Sequence, residues 1–263
     1  MCRCRLTFFL FFTLIVLFSY FDVGAQKRRP ASVKSASSTA ASRPKEIGST
    51  AVVVDETLSV LRTRPSLFAE PIQRMRRGRL VRILGMTEAD GVKFYRIAAP
   101  PNAGWIQADS VFGKFRTGDE ERLAMLVQAS DGFDQVEMAM EFLNLYPNSH
   151  LRPAILLLLG DLLEEAAVKL TKDSISKLNR REMAASAAPV HSYYLNFVSL
   201  DRYRKLGITF VFNPAVRAYH YDGAAWNEIV NKYRQSIEAA EAQKRLDSLK
   251  QKMAMTMTTT GTK

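Results

Sequence analysis

The chain has 263 residues, 47% of them hydrophobic, and a formal charge of +11. That length admits one large domain or two small ones, and so apolar a composition excludes a chain that is disordered throughout. Its two cysteines, Cys2 and Cys4, stand at the very start, so the remainder is without disulfides, thiol catalysis and cysteine–metal sites.

Residues 1–25 read as an export signal. Arg3 and Arg5 charge its head, residues 6–18 are almost wholly apolar, and Val23-Gly24-Ala25 offers the small residues a signal peptidase reads. The apolar run is shorter than the roughly 20 residues a membrane span needs, which favours cleavage over a retained anchor and leaves no stable span in the mature chain. Residues 26–50, rich in Ser, Ala, Lys, Arg and Pro, predict a disordered basic linker. In the cytoplasm this charge would point to nucleic acid. For an exported chain the polyanions at hand are lipid headgroups and wall polymers, so nucleic acid is not expected. A cysteine-free exported chain fits the bacterial periplasm or cell surface.

From residue 51 to 116 short apolar runs alternate with Pro, Gly and Asn at close spacing, the pattern of a small all-β barrel. Turns fall at Pro65-Ser66, around Gly78, at Asp90-Gly91 and at Pro100-Pro101-Asn102. Arg62 and Pro65, then Arg77-Gly78, Phe94-Tyr95-Arg96-Ile97 and Ala103-Gly104-Trp105-Ile106 follow the order of a known motif set. In them the stretch resembles the bacterial SH3 (SH3b) domain, with Arg64 where that family has Gly. The resemblance implies an SH3-like barrel and a ligand rim built from Arg62, Arg64, Tyr95 and Trp105. Trp105 reads equally as a core residue.

Residues 117–253 change to helical periodicity. Thr117 and Glu120 have capping-box spacing, and helices are predicted from that cap to Asp131-Gly132, over 133–146, from 149 towards Leu170 or beyond, over 221–233 and from Ser236. Tyr146-Pro147-Asn148-Ser149, Leu159-Gly160 and the partly similar Tyr233-Arg234-Gln235-Ser236 resemble tetratricopeptide-like hairpins. Between them lies an insert, 179–213. It predicts a short helix over 199–207 and an extended segment over 208–212 whose aromatics pack on the helices without a strand partner. Residues 254–263 predict a disordered tail. The expected fold is thus α+β and multidomain: a small SH3-like all-β barrel followed by an all-α tetratricopeptide-like helical-hairpin domain, joined near 115–119.

The search for chemistry returns no catalytic residue, no metal site and no cofactor. His150, His191 and His220 lie in no nucleophile or zinc spacing, His150 reading as a surface residue and the other two as packing histidines. Asp161, Glu164 and Glu165 read as a solvated helix face rather than a glycosidase pair. What remains is contact chemistry. Arg74, Arg76, Arg77, Arg79 and Arg82 crowd one hairpin, either a docking patch for an anionic polymer, carried by Arg76, Arg77 and Arg79, or a charged edge strand. The expectation is a non-enzymatic envelope adaptor, its barrel touching peptidoglycan, another anionic wall polymer or a protein, its helices holding a protein partner. The alternatives are a wall-targeting module for a separate peptidoglycan hydrolase, or an enzyme of unrecognised type.

Overall fold

The computed structural model describes residues 44–185, 187 and 189–254, without the side chains of residues 180 and 182. The expected export signal, the linker as far as residue 43 and the tail from 255 lie outside the described residues. The chain enters through a turn at 45–48 and is tied at once to the sheet, where the Gly48 N–H donates to the Ile83 carbonyl at 2.8 Å.

Seven strands follow: β1 Thr50–Val53, β2 Val60–Arg62, β3 Pro71–Arg74, β4 Leu80–Ala89, β5 Val92–Ala99, β6 Asn102–Gln107 and β7 Val111–Phe112. They form one curled antiparallel sheet in the order β3-β2-β6-β5-β4-β1-β7. The expectation of an SH3-like barrel followed by an all-α domain is corrected here on both halves. The sheet curls into a half-barrel, but its outermost strands β3 and β7 do not pair with each other. The helical half contains a β-hairpin.

The physical reason for the open edge lies in β1. Ala51 and Val53 face the core enclosed by the sheet, with Val81, Ile83, Tyr95, Ile97 and Ile106. Val52 and Val54 face the other way and, with Phe112, join the core of the helices beside Leu123, Phe142 and Tyr146. An uninterrupted apolar run is what a strand buried on both faces requires. Strands β1 and β7 therefore lie against helices, and sheet and helices belong to one compact unit.

The helices are α1 Asp119–Ala129, α2 Gly132–Leu145, α3 Arg152–Lys177, α4 Arg180–Ala185, α5 Val190–Leu195, α6 Asp201–Arg204, α7 Ala224–Lys232 and α8 Glu238–Ala254. Helix α1 does not begin with the capping box expected at Thr117. Its cap is Gly118, left-handed at φ +81°, with no side-chain cap bond. Asp119, 2% exposed, instead accepts from the Gly113 N–H at 3.2 Å and pairs with Arg116 at 2.6 Å. Ser149 does act at the entry to α3, accepting from the Leu151 N–H at 2.9 Å.

Helix α3 is the axis on which α2, α7 and α8 pack. Gly160 makes the α7 contact possible: a methyl group there would stand 2.2 Å from the indole nitrogen of Trp226. The extended segment expected over 208–212 has a partner after all. Strand β8 Phe210–Asn213 pairs antiparallel with β9 Ala218–Tyr221, residues read from sequence as loop and helix start. Phe210, Phe212, Tyr219 and Tyr221 alternate at period two, and their rings pack on the helices, Phe212 stacking on Tyr194 at 4.4 Å. Among the described residues no helix is long and apolar enough to cross a membrane.

Candidate functional site

The sheet register builds one row of side chains across four strands. Arg62 on β2 lies opposite Trp105 on β6, Trp105 opposite Arg96 on β5, and Arg96 opposite Gly85 on β4. Directly opposed residues share a face, with Cβ atoms about 5 Å apart. Their neighbours Leu61, Ile106, Tyr95 and Ile97 point to the opposite face and are fully buried. The row is therefore on the outer face: a half-buried indole between two guanidinium-bearing side chains, of which Arg96 is exposed.

Local sequence explains this placement. Gly104 precedes Trp105, and a methyl group on it would come within 2.6 Å of the Arg62 carbonyl and 3.0 Å of Leu61. Only a residue without Cβ lets β2 approach β6 so closely, and that approach sets Arg62 beside the indole. Arg62 is further held by its Nη1–H, which donates to the Ala69 carbonyl at 2.8 Å and ties down the loop 63–70. Its Nε–H is buried and meets no acceptor among the described residues. No carboxylate of the described residues pairs with Arg62 or Arg96. Planar guanidinium donors beside an aromatic face suit carboxylates and the faces of sugar or peptide groups.

The remaining site residues expected from the sequence fall elsewhere. Tyr95 is fully buried in the sheet core, edge-on to Phe115 at 6.3 Å, and burial raises the pKa of its hydroxyl. It pairs with Ile106, one position out of phase with Trp105, so it cannot share a ligand with that indole. Arg64 is exposed in the loop beyond Arg62. The residue that sequence reasoning missed is Arg96. Period-two parity held the signal: Tyr95 shares a face with Ile97, leaving Arg96 to share one with Trp105.

The arginines of the β3–β4 turn separate by partner. Arg77 has a side chain only 7% exposed and reaches across to α2, where its Nη1 lies 2.5 Å from Glu137 and 3.6 Å from Asp134. Its Nε–H donates to the Val54 carbonyl at 2.9 Å, and its backbone N–H donates to Glu56 at 2.8 Å. Arg79 donates to the carbonyls of Ala99 and Pro100, at 3.1 and 2.5 Å. Arg74 donates to the Glu56 carbonyl at 2.8 Å. Arg76 and Arg82 stay exposed. Arg77 is thus a fastening between sheet and helices, and a surface substitution there would not be neutral. Glu137 and Glu141 face it from α2, and both have raised pKa values because burial outweighs the attraction of Arg77. Gly78, at φ +77°, lets Glu141 approach, since a methyl group there would lie 2.8 Å from its carboxylate.

The histidines and the helix carboxylates also find ordinary places. His220 is buried with Nδ1 3.3 Å from Glu164, which also accepts from Lys252 at 2.8 Å and the Tyr221 N–H at 3.1 Å. Asp161 pairs with Arg245 at 2.9 Å. His150 is exposed, and His191, expected to be packed, is exposed beside the Phe212 ring. No group of three or more His, Cys, Asp or Glu side chains among the described residues is placed to hold a metal ion. Comparison with known proteins returns no match from protein-family models, from curated proteins or from solved structures.

Proposed function

We propose that this chain is an exported, non-enzymatic envelope protein that binds an anionic wall polymer, peptidoglycan foremost, through the outer face of its curled sheet. The row Arg62–Trp105–Arg96 carries the reading: an indole whose neighbours across the sheet are two arginines, neither paired with a carboxylate among the described residues. The indole supplies a platform for a sugar or peptide face, and the arginines take the carboxylates that such polymers display. The motif at Gly104-Trp105-Ile106, shared in type with wall-binding SH3b segments, and the signal-like residues 1–25 support the same reading. The helical half is assigned a protein partner, which makes the whole an adaptor.

Cosedimentation of the full chain with purified peptidoglycan tests it. The wild-type chain should pellet with the polymer at low salt and be released as salt screens the exposed arginines, and Trp105→Ala should stay in the supernatant with its fold intact. Failure of the wild-type chain to pellet at low salt would dismiss the polymer reading.

A further inference from the structure

A groove of about 600 Å³ runs along the C-terminal half of α3, walled by Val168, Thr171 and Ile175 on one side and by Ala218, Tyr219 and His220 of β9 on the other. Helix α3 turns one stripe, Leu163, Ala167, Leu170 and Ser174, into the core. Val168 and Ile175 lie on a second stripe and stay 63% and 51% exposed, two large apolar side chains that the described residues leave uncovered. They stand two helical turns apart, about 10 Å along the axis, with Thr171 and Lys172 between them. Positions i, i+3, i+4 and i+7 share one helical face, so this wall is a short seam of the kind a second helix packs against.

Two features restrict what can fill the groove. Its β wall does not admit another strand, because the N–H groups of Tyr219 and Tyr221, which point away from β8, are taken by the Thr171 hydroxyl at 2.8 Å and by Glu164 at 3.1 Å. Its margins are positive. Lys172 borders the seam on α3, and Arg217 immediately precedes Ala218 in the turn between β8 and β9. Both are exposed, and neither has an ion pair among the described residues. Glu164, one turn before Val168, does not offset them, since it is held by Lys252 at 2.8 Å and His220 at 3.3 Å. Asp173 lines a separate hollow with Val198 and Tyr203, and Glu165 precedes the seam. Charges at the margin of an apolar seam select a partner by its sign.

We propose that this groove docks an amphipathic helix of a protein partner, its apolar residues beside Val168, Thr171 and Ile175 and its flanking carboxylates on Lys172 and Arg217. A recess between two elements suits a helix laid in a groove rather than a flat lipid surface. The proposal rests on the protein partner assigned to the helical half, and not on polymer binding by the sheet.

The probes are a synthetic amphipathic peptide with Leu at its apolar positions and Glu at the flanking ones, and the same peptide with Lys in place of Glu. The full chain should bind the glutamate peptide and not the lysine peptide, and salt should weaken the binding. Val168→Asp with Ile175→Asp should abolish it without lowering the melting temperature, since both side chains are exposed. Lys172→Glu with Arg217→Glu should weaken the glutamate peptide at least about ten-fold and gain the lysine peptide, a reversal that misfolding cannot produce. All these variants should pellet with peptidoglycan as the wild-type chain does, so the groove and the polymer site fail in separate measurements. Binding of neither peptide, or of both alike with no response to the variants, would overturn the proposal. So would a dimeric full chain that turns monomeric with Val168→Asp, or one that binds anionic lipid vesicles through Val168 and Ile175, because a second copy or a membrane would then be the occupant.

Discussion

Two arginine-bearing regions of the sheet behave in opposite ways. On the outer face, Arg62 and Arg96 flank Trp105 and have no carboxylate partner among the described residues. At the β3–β4 turn, Arg77 is surrounded by the Val54 carbonyl, Glu137 and Asp134 and is nearly withdrawn from solvent. The turn is the denser cluster in sequence, yet it has less to offer a ligand. What decides availability is the number of acceptors the fold brings to each guanidinium, and a helix packed against a turn brings carboxylates that no count of arginines reveals.

The sharpest break of this contrast is Arg77→Ala. It would leave Glu137 and Glu141 half-buried without their counter-charge and the Val54 carbonyl without its donor. Removing one member of a buried ion pair costs about 3–5 kcal/mol. The partial exposure of Glu137 reduces the expected loss to about 2–3 kcal/mol, read from chemical denaturation. A loss below about 0.5 kcal/mol would show that the fastening is ornamental.

Gly104→Ala comes next. Its methyl group meets a backbone oxygen at 2.6 Å, so β2 must move away from β6, at a cost of about 1–3 kcal/mol in overpacking. Polymer binding should fall with it, because Arg62 is then displaced from Trp105. Retained binding at reduced stability would separate the two effects and remove Arg62 from the site.

Arg96→Gln sharpens the contrast from the other side. The side chain is exposed and has no ion pair among the described residues, so stability should stay within about 0.5 kcal/mol of wild type. Peptidoglycan pelleting should nonetheless weaken several-fold and lose part of its salt dependence. A variant that pellets like wild type would limit the site to Trp105 and Arg62.

The smallest effect is the pH dependence of the Arg77 region. Glu137 and Glu141 have folded pKa values above their ordinary 4.5, burial being the leading cause. The folded chain therefore holds protons that the unfolded chain releases. The stability these two groups contribute is fully present below the ordinary value and is lost as pH rises through the raised ones. The denaturation midpoint of wild type, compared with Glu141→Gln, should accordingly gain modestly as pH falls from about 7 to about 5. An equal pH response in the two chains would mean that Glu141 titrates as an ordinary surface carboxyl.

Strand β5 and the hairpin β8–β9 show where local reading stops. In β5 the alternation that assigns Tyr95 to the core and Arg96 to the outer face is written in the residues themselves, and it outranks the aromatic identity that drew attention to Tyr95. In the hairpin, Phe210 to Asn213 is strand-like by composition, but its partner Ala218–Tyr221 sits where the chain also resembles the start of α7. Two short strands stabilise each other only through packing on α3, where Thr171 and Glu164 take the outward N–H groups of β9.

The positions of the turns, the strand-rich first half, the helices around Leu123, Phe142, Leu159 and Trp226, and the charge of the outer sheet were determined by the sequence alone. These depend on side-chain periodicity and on residues such as Gly and Pro, whose backbone preferences act over a few positions. Whether the sheet closes, which arginines remain free and which face Trp105 presents were decided only by tertiary structure. Those outcomes depend on strands and helices distant in the chain, on Val52 and Val54 finding a helical core and on Arg77 finding Glu137; the apolar run at 51–54 marks a strand buried on both faces, but nothing near it specifies which remote element covers the second face.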